Sequence, residues 1–305
     1  MTAFRHLLVA TDLSTHATAA LDRAFLLAPE SGARLTAIHA LGLAALTPYR
    51  ALLGDVAEQV ARTVTAEART RLQAMLDDAD RSRGYPASLQ LEADLPAPAI
   101  MAFAAANEVD LVLVGAQGRS VWQRMLLGST ASHMLRKSRW PVLVVKQPAR
   151  ERYHRVVVAM DFSPVSAAAL ALARQIAPEA KLVLAHVFEL PFEGLLATAG
   201  VSTVDINRYQ VEVRDHALLA LHEMARQAGL EQGRYRLEVR HGQAGRVLPE
   251  LVDQSGADLV VMGKHGTHVT EELLLGSVTK RVLAGCSCDV LVVVDDRPAA
   301  EWKAP

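Results

Sequence analysis

The sequence repeats itself with a period of about 150 residues, and this repeat limits the fold more than any other feature. The region around 112–135 aligns with the region around 259–283, so that three glycines and a serine recur 148 positions later. They are Gly115, Gly118, Gly128 and Ser129, which match Gly263, Gly266, Gly276 and Ser277. The beginnings of the two halves also match, with Asp12 opposite Asp161 and His39 opposite His186. A period of this length predicts two duplicated domains rather than a solenoid of short repeats.

A polar stretch, "KQPARERYH" at 146–154, separates two apolar runs and contains a proline. Such a composition is typical of a boundary between domains. We therefore predict one domain over residues 1–147 and a second domain of the same fold over residues 152–296.

Each half alternates strand-like and helix-like segments. Near-continuous Val and Leu runs such as "FRHLLVAT", "DLVLVG" and "PVLVVK" predict a parallel sheet covered on both faces by helices. A long amphipathic helix is predicted from the apolar residues on one of its faces: Val56, Val60, Val64, Leu72 and Met75. Ser14 and the pair Ser163-Pro164 are good helix starts, because a hydroxyl can cap the first turn and proline suits the first helical position. The predicted fold class is α/β: two tandem, doubly wound domains, each with a five-stranded parallel sheet.

The composition is that of a globular protein. The chain has 305 residues, of which 51% are hydrophobic, enough for two domains with their own cores. Its 32 basic and 33 acidic side chains are interspersed, so no field of one sign indicates nucleic acid or an anionic membrane as a partner. No apolar run approaches the ~18 residues of a membrane span. We expect a cytoplasmic protein with no nucleic-acid or membrane partner.

In an open parallel sheet, ligands bind outside the carboxyl ends of the strands, where the winding reverses direction. Here the first strand of each half ends in an aspartate, and the fourth ends in the glycine loop. The loop offers backbone N–H groups, and the helix that begins at Gly276-Ser277 directs its positive end into the same space, which suits phosphate. The carboxylate of Asp161 can accept hydrogen bonds from a ribose or an amino group. The pattern therefore predicts a nucleotide lying between the two elements.

Two common classes of nucleotide-binding protein do not fit the sequence. No GxxxxGK[ST] motif occurs, and the first strand-to-helix turns, "ATDLSTHA" and "AMDFSPVS", contain no glycine. The chain therefore matches neither a P-loop ATPase nor a Rossmann dehydrogenase.

The motif Gly-x2-Gly-x9-Gly-Ser after a fourth strand, with an aspartate on the first strand and a closing "PVLVV"-type strand, resembles the universal stress protein family. It occurs twice, so the resemblance is to a tandem pair and covers nearly the whole chain. In the ATP-binding branch of that family the sheet order is 3-2-1-4-5, and these glycines hold the phosphates. The resemblance implies the same order and the same glycine motif in both halves.

Carried over residue by residue, the resemblance implies an ATP site in each half. The second-half site would comprise Asp161, Val187, Met262, Gly263, Gly266, Gly276, Ser277, Val278 and Thr279. The first-half site would comprise Asp12, Ala40, Val114, Gly115, Gly118, Gly128, Ser129 and Thr130. No catalytic residue and no metal-ligating side chain is assigned.

The surroundings of the two predicted sites differ. Asp94 stands in the first half where the second has Gly242, and Ala131 replaces the hydroxyl of Thr279. A carboxylate near the site would add bulk and negative charge, so we predict that the second site binds ATP more tightly. The charges within the loops favour the reverse order, with Arg119 and Arg124 in the first loop and Glu271 and Glu272 in the second.

The resemblance implies a stress-response regulator that binds ATP, with or without Mg²⁺, rather than a turnover enzyme. Neither loop presents an obvious general base beside the expected γ-phosphate, although slow ATP hydrolysis stays open. Two alternatives are an ATP-consuming hydrolase or phosphotransferase of the same α/β superfamily, and a scaffold that binds no nucleotide.

Simpler interpretations exist for several of these residues. The glycine loops could be turns packed on the sheet, and the two strand-end aspartates could cap the following helices. His39 and His186 end apolar strands and are interpreted as hydrogen-bonded core residues. His265 and His268 could bind a metal ion, but a solvated loop is the preferred interpretation. Trp122 could cover a ligand or contact a partner, and both options stay open.

The final strand of each half is apolar and would lie at a sheet edge, where an uncovered edge invites pairing. These strands are "PVLVVK" at 141–146 and "DVLVVV" at 289–294. Members of the resembled family dimerise through this strand. The resemblance therefore implies that the two halves pair within one chain as a pseudo-dimer, and a homodimer of the two-domain chain stays open.

Overall fold

The computed structural model describes residues 4–45, 55–116, 127–190, 195, 198–199, 201–266 and 275–294. The chain divides into two compact units, Met1–Arg152 and Tyr153–Pro305. They are called the first half and the second half below, and each is described by itself.

Strands and helices alternate along both halves, as the sequence predicts. The first half contains β1 (His6–Ala10), α1 (Thr15–Ser31), β2 (Arg34–Ala40), α2 (Asp55–Asp77), α3 (Ala79–Ser82), β3 (Ala87–Glu92), α4 (Pro96–Ala106), β4 (Leu111–Gly115), α5 (Ser129–Lys137) and β5 (Val142–Val145). The second half contains β6 (Arg155–Ala159), α6 (Pro164–Ile176), β7 (Lys181–Phe188), α7 (Thr203–Gln227), β8 (Tyr235–His241), α8 (Ala244–Ser255), β9 (Leu259–Gly263), α9 (Ser277–Gly285) and β10 (Asp289–Val293).

The strands of each half form a parallel sheet, which confirms the predicted fold class. In the first half the order is β3-β2-β1-β4-β5, and in the second it is β8-β7-β6-β9-β10. β1 pairs with β2 on one side and with β4 on the other, and β6 lies in the same way between β7 and β9. The winding therefore reverses beside the first strand of each half, and this is where a parallel sheet leaves a crevice.

Both faces of the sheets are covered, because every residue of β1 and of β10 is buried. The α1 helix contributes Ala20, Leu21 and Ala24, all with no exposed surface, to this core. The α2 helix forms where predicted, but the face chosen from the sequence is wrong for its first turns. Val56 and Val60 are 58% and 43% exposed. Leu72 of the predicted face is buried, together with three residues outside the prediction: Ala57, Ala68 and Leu76.

The turn after the first strand has the same conformation in both halves. Leu13 and Phe162 adopt left-handed backbone angles, with φ of 61° and 63°. The preceding aspartate stabilises each turn, since Asp12 Oδ1 accepts a hydrogen bond from the Ser14 amide at 3.0 Å and Asp161 Oδ1 from the Ser163 amide at 3.1 Å. These bonds fix the direction in which each chain leaves its strand.

The predicted helix starts are confirmed in part. Ser14 caps α1, because its Oγ accepts a hydrogen bond from the Ala17 amide at 3.3 Å. Pro164 is the first residue of α6, but Ser163 makes no capping bond to that helix. Its hydroxyl instead donates to Asp161 Oδ1 at 2.5 Å, so it supports the turn rather than the helix end.

Within the described ranges, we find no helix whose length and hydropathy would let it cross a bilayer.

Candidate functional site

The carboxyl ends of the first-half strands surround a cavity of about 220 Å³, called the first cavity below. It lies beside β1, at the point where the winding of the sheet reverses. The residues predicted for the first-half site line it together: Asp12, Ala40, Val114, Gly115, Gly128, Ser129 and Thr130. Gly118, the remaining residue of that set, lies outside the described residues.

The equivalent cavity of the second half, called the second cavity, has a volume of about 100 Å³. Most of the residues predicted for the second-half site line it: Asp161, Val187, Met262, Gly263, Gly266, Val278 and Thr279. Gly276 and Ser277 belong to the predicted set and form the start of α9, but the second cavity does not extend to them.

Both α5 and α9 begin without a capping side chain. Their N-cap residues are Gly128 and Gly276, which have no side chain that could accept from the first turn. The glycine amides are used to close the loop, since Gly128 donates to the Ala116 carbonyl at 2.8 Å and Gly276 to the Lys264 carbonyl at 3.0 Å. The first-turn amides that follow are therefore oriented outward at the positive end of a helix dipole, which is an arrangement that attracts anions.

Close packing favours glycine at two positions of the second-half loop. A Cβ on Gly263 would lie 2.9 Å from Cγ1 of Val165, and a Cβ on Gly276 would lie 3.1 Å from the Lys264 carbonyl oxygen. These distances leave no room for a side chain. The glycines are thus turns packed on the sheet, as the simpler interpretation has it, and this role is compatible with a ligand above the loop.

Asp161 faces the glycine loop across the second cavity, as expected from the strand order. A Cβ on Gly266 would lie 3.3 Å from Asp161 Oδ2. The other carboxylate oxygen, Oδ1, accepts from the Ser163 amide, the Ser163 hydroxyl and the Ser166 hydroxyl at 3.1, 2.5 and 2.7 Å. One oxygen therefore holds the local turn, and the other is directed towards the loop.

The strand-end histidines are hydrogen-bonded residues of the sheet, which confirms the interpretation from the sequence. His39 Nδ1 lies 2.7 Å from the Thr11 carbonyl oxygen and His186 Nδ1 lies 2.8 Å from that of Met160. Because a carbonyl can only accept, each Nδ1 carries the proton. Burial lowers the pKa of His186 below 6.5, and the Met160 hydrogen bond and the charge of Asp161 offset only part of this effect. His186 is therefore neutral near pH 7.

The ranking of the two sites relied on Asp94 and on the hydroxyl of Thr279, and neither group affects its cavity as expected. The Asp94 side chain is exposed, accepts from the Leu95 amide at 2.7 Å and does not line the first cavity. Gly242 has φ of 125°, so the local backbone is a sufficient reason for glycine there. The Thr279 hydroxyl donates to the carbonyls of Gly263 and Lys264 at 3.1 and 3.3 Å, so it stiffens the loop.

Several lining residues are absent from the predicted sets. Pro96 and Ile100 of α4 form a wall of the first cavity, and Ala244 and Leu248 of α8 form the matching wall of the second. The two pairs are related by the same offset of 148 positions as the glycines. A full alignment of the two halves would therefore have shown that these residues are equivalent.

His265 is also part of the second cavity. It is half-buried and lines that cavity, so the interpretation of this residue as part of a solvated loop is wrong. The Gly276 amide donates to the Lys264 carbonyl at 3.0 Å, so the residue before His265 is bonded to the start of α9. Among the described residues, no group of three or more His, Cys, Asp or Glu side chains could hold a metal ion. The other loop residues singled out in the sequence lie outside the described ranges: Arg119, Trp122, Arg124, His268, Glu271 and Glu272.

Comparisons with known proteins agree with the duplicated architecture. The model of the universal stress protein family matches twice, over residues 3–146 and 152–294. A universal stress protein of Mycolicibacterium smegmatis is 27% identical over 299 residues, which cover 94% of this chain and 96% of the relative. One from Mycobacterium tuberculosis is 30% identical over 269 residues, covering 85% of this chain and 86% of the relative. The crystal structure of a universal stress protein from Archaeoglobus fulgidus shares the fold, with a TM-score of 0.66 at 20% identity over 95% of this chain and 98% of that one.

Proposed function

This chain belongs to the universal stress protein family in a tandem form, and from that premise we propose that it binds ATP and acts as a regulator in a stress response. The ATP would lie at the carboxyl ends of the parallel strands, beside the first strand of a half. A role in stress responses is general for the family, whereas ATP as the ligand is the specific part of the proposal.

The observation that carries the proposal is the composition of the first cavity. A strand-end carboxylate, Asp12, and an uncapped helix N-terminus at Gly128–Ser129 line the same cavity at the reversal point of the sheet. Apolar side chains such as Ile38 and Ile100 form its walls. A nucleoside triphosphate has the three matching parts: a planar apolar base, a ribose with hydroxyl donors, and a polyanionic tail.

Each part of the nucleotide has a proposed partner. The backbone amides at the start of α5 and the Ser129 hydroxyl would hold the phosphates, because they combine donors with the positive end of the helix dipole. Asp12 would accept from the ribose, and Ala40 at the end of β2 would contact the base. Any Mg²⁺ would be held mainly by the phosphates, which is how this ion usually binds beside nucleotides.

A regulator is preferred to a turnover enzyme because of the side chains that line the first cavity. Among the described lining residues Asp12 is the one ionisable group, and its carboxylate already accepts from the Ser14 amide. Such a carboxylate is a poor general base, since hydrogen bonding to the charged form favours that form.

The test begins with the purified full-length protein. It is denatured, and the released small molecules are identified by mass spectrometry. The nucleotide-depleted protein is then titrated with ATP, and separately with GTP as a control for base recognition, by isothermal titration calorimetry. We expect saturable binding of ATP, weaker binding of GTP, and no phosphate release above the rate without protein. Absence of retained nucleotide together with absence of ATP binding would refute the proposal, and rapid phosphate release would favour the hydrolase alternative.

A further inference from the structure

The α7 helix carries apolar side chains on the side that faces solvent. Val204, Val211 and Leu219 are 66%, 54% and 68% exposed. Because an α-helix turns by about 100° per residue, their spacings of seven and eight residues place them in one row. Single exposed apolar residues are ordinary on a protein surface, whereas a group of them in one row is typical of a surface that meets a partner.

This row is separate from the face that α7 packs against β8. The buried residues of the helix are Ile206, Ala217, Leu221 and Ala225. At 100° per residue, their mean direction lies about 135° from that of the exposed row. A helix on the surface of a domain needs one apolar face, which meets the core. The second apolar face of α7 therefore has no role in the core.

Two exposed residues of opposite charge, Arg208 and Asp215, lie within the same row. Arg208 lies 3.2 Å from Asp205 of its own helix, but both of those side chains are more than half exposed. Exposed ion pairs contribute little, so Arg208 can exchange this contact for another carboxylate. The complete set is called the outer row below: Val204, Arg208, Val211, Asp215 and Leu219.

The outer row is complementary to itself when it is reversed. Val204 and Leu219 are equally far from the midpoint between residues 211 and 212, and so are Arg208 and Asp215. Two antiparallel copies of α7 related by a twofold axis at this midpoint place Val204 opposite Leu219 of the second copy. The same axis places Arg208 opposite Asp215 of the second copy, and each pair forms twice. In a parallel pair each charge would face its own equivalent, so the antiparallel arrangement is favoured.

The equivalent helix of the first half does not have this property. By the offset of 148 positions, α2 carries Val56 and Val60 at the start of the corresponding row, but Glu67 and Arg71 at its end. An antiparallel pair of α2 helices would place each valine opposite a charged side chain. Such a contact removes a charge from water without giving it a partner.

We propose that the full chain self-associates through the outer row of α7, as an antiparallel twofold dimer. The occupant is a second copy of this chain, because the charges of the row complement those of the same row reversed. From Val204 to Leu219 the contact is about 22 Å long, at 1.5 Å per residue, and involves one helix of each copy. An interface of this kind is small, so we expect a reversible dimer with a dissociation constant in the micromolar range.

The first experiment is sedimentation equilibrium of the full chain over a range of concentrations. We expect monomers at low concentration and dimers at high concentration. Leu219→Lys should weaken the dimer about tenfold or more, because it places a charge in both of the apolar contacts. Val60→Lys is the matched control on α2 and should leave the association unchanged. Folding of both variants is checked by circular dichroism. A chain that stays monomeric at millimolar concentration, or an equal loss for the two variants, would overturn the proposal.

The second experiment tests the antiparallel register through its charges. Arg208→Glu and Asp215→Arg each place like charges opposite one another, and each should weaken the dimer about tenfold or more. A mixture of the two variants should form dimers with one chain of each, because every reversed charge then meets an opposite one. Native mass spectrometry identifies such mixed dimers by their mass.

The double variant Arg208→Glu, Asp215→Arg should recover self-association for the same reason. This recovery is a result that a merely destabilised helix would not give. Single variants that dimerise as strongly as the unchanged chain, or a double variant and a mixture that associate no better than the single variants, would overturn the proposed register.

Discussion

The first and second cavities lie at the same place in two copies of one fold, yet the first encloses about 220 Å³ and the second about 100 Å³. The glycine spacing that predicts a nucleotide site is identical in the two loops. The lining side chains differ in both directions: Thr11 and Val114 of the first half are matched by the longer Met160 and Met262, whereas Ile38 is matched by the smaller Ala185. A loop motif thus describes the path of the backbone, whereas the room for a ligand depends on residues elsewhere.

The second half shows that the glycines of such a motif also have a structural role. Gly263 packs against Val165, and Gly276 packs against the Lys264 carbonyl. A side chain at either position would disturb the turn whether or not a ligand binds. The glycines are therefore required by the fold, and their presence alone does not show that a half binds nucleotide.

Filling the first cavity should have the largest effect. Val114→Met places in the first half the side chain that the second half carries at Met262, and we expect the affinity for ATP to fall by about tenfold or more, since extra methylene groups in a closed pocket cost 1–3 kcal/mol. The measurement is calorimetric titration with ATP. Leu113→Met is the matched control, because Leu113 is fully buried and neighbouring strand residues point to opposite faces. Equal losses for the two variants would mean that cavity volume is not the cause.

A buried polar pair stabilises the second half and has no counterpart at the aligned positions of the first half. The Tyr153 hydroxyl donates to Asp289 Oδ2 at 2.6 Å, and both residues are buried in the second half. The aligned first-half positions, Phe4 and Pro141, have no polar side chain. Tyr153→Phe should lower the free energy of unfolding by about 1.5 kcal/mol, because it removes a bond to a buried carboxylate.

The stability of the Tyr153 variant is read from urea titrations followed by circular dichroism. Tyr235→Phe is the control, since the Tyr235 hydroxyl makes an exposed contact of 3.3 Å with His222 Nδ1. Its loss should be within about 0.5 kcal/mol. A Tyr153 variant as stable as this control would show that the buried bond contributes nothing to the second half.

A negative charge at the start of α5 should weaken ATP binding without lowering the stability of the fold. Ser129→Asp places a carboxylate at the first residue of α5, which stabilises the helix but repels phosphate. We expect the affinity for ATP to fall by about fivefold while the melting temperature stays equal or rises. Ser277→Asp should give a smaller loss, because Ser277 does not line the second cavity. A greater loss for Ser277→Asp would place the phosphates in the second half.

The smallest effect concerns the protonation of His186, at the end of β7. Burial lowers the pKa of His186 below 6.5. The folded state therefore binds fewer protons than the unfolded state, so the contribution of His186 to stability is lost as the pH falls through 6.5 and is retained above it. A titration of the imidazole resonances by nuclear magnetic resonance should give a midpoint below 6.5. A midpoint at or above that value would show that the Met160 hydrogen bond and the Asp161 charge together outweigh the effect of burial on the pKa.

The parts of the structure that could be predicted from the sequence are those that depend on regular spacing. Continuous Val and Leu runs specify buried parallel strands, and the repeat specifies that both halves share one order. The same spacing gathers Asp12, Gly115 and Ser129 around one cavity. The predicted face of α2 is right at Leu72 but wrong at Val56 and Val60, because hydrophobicity alone does not show which residues of the first turns meet the sheet.

The smaller volume of the second cavity could not be predicted from the sequence for a related reason. Met160 and Met262 are apolar residues of the kind found in many strands. They line the second cavity because of their position at the strand ends. His265 lies in a glycine-rich stretch that is typical of a solvated loop. Its partial burial accompanies the hydrogen bond from the Gly276 amide to the Lys264 carbonyl, which joins the residue before His265 to the start of α9.

A crystal structure of the full chain with ATP and Mg²⁺ tests the account most directly. We expect density for a nucleotide in the first cavity, with its phosphates at the amides that follow Gly128. Two cavities that stay empty at saturating ATP would contradict the account.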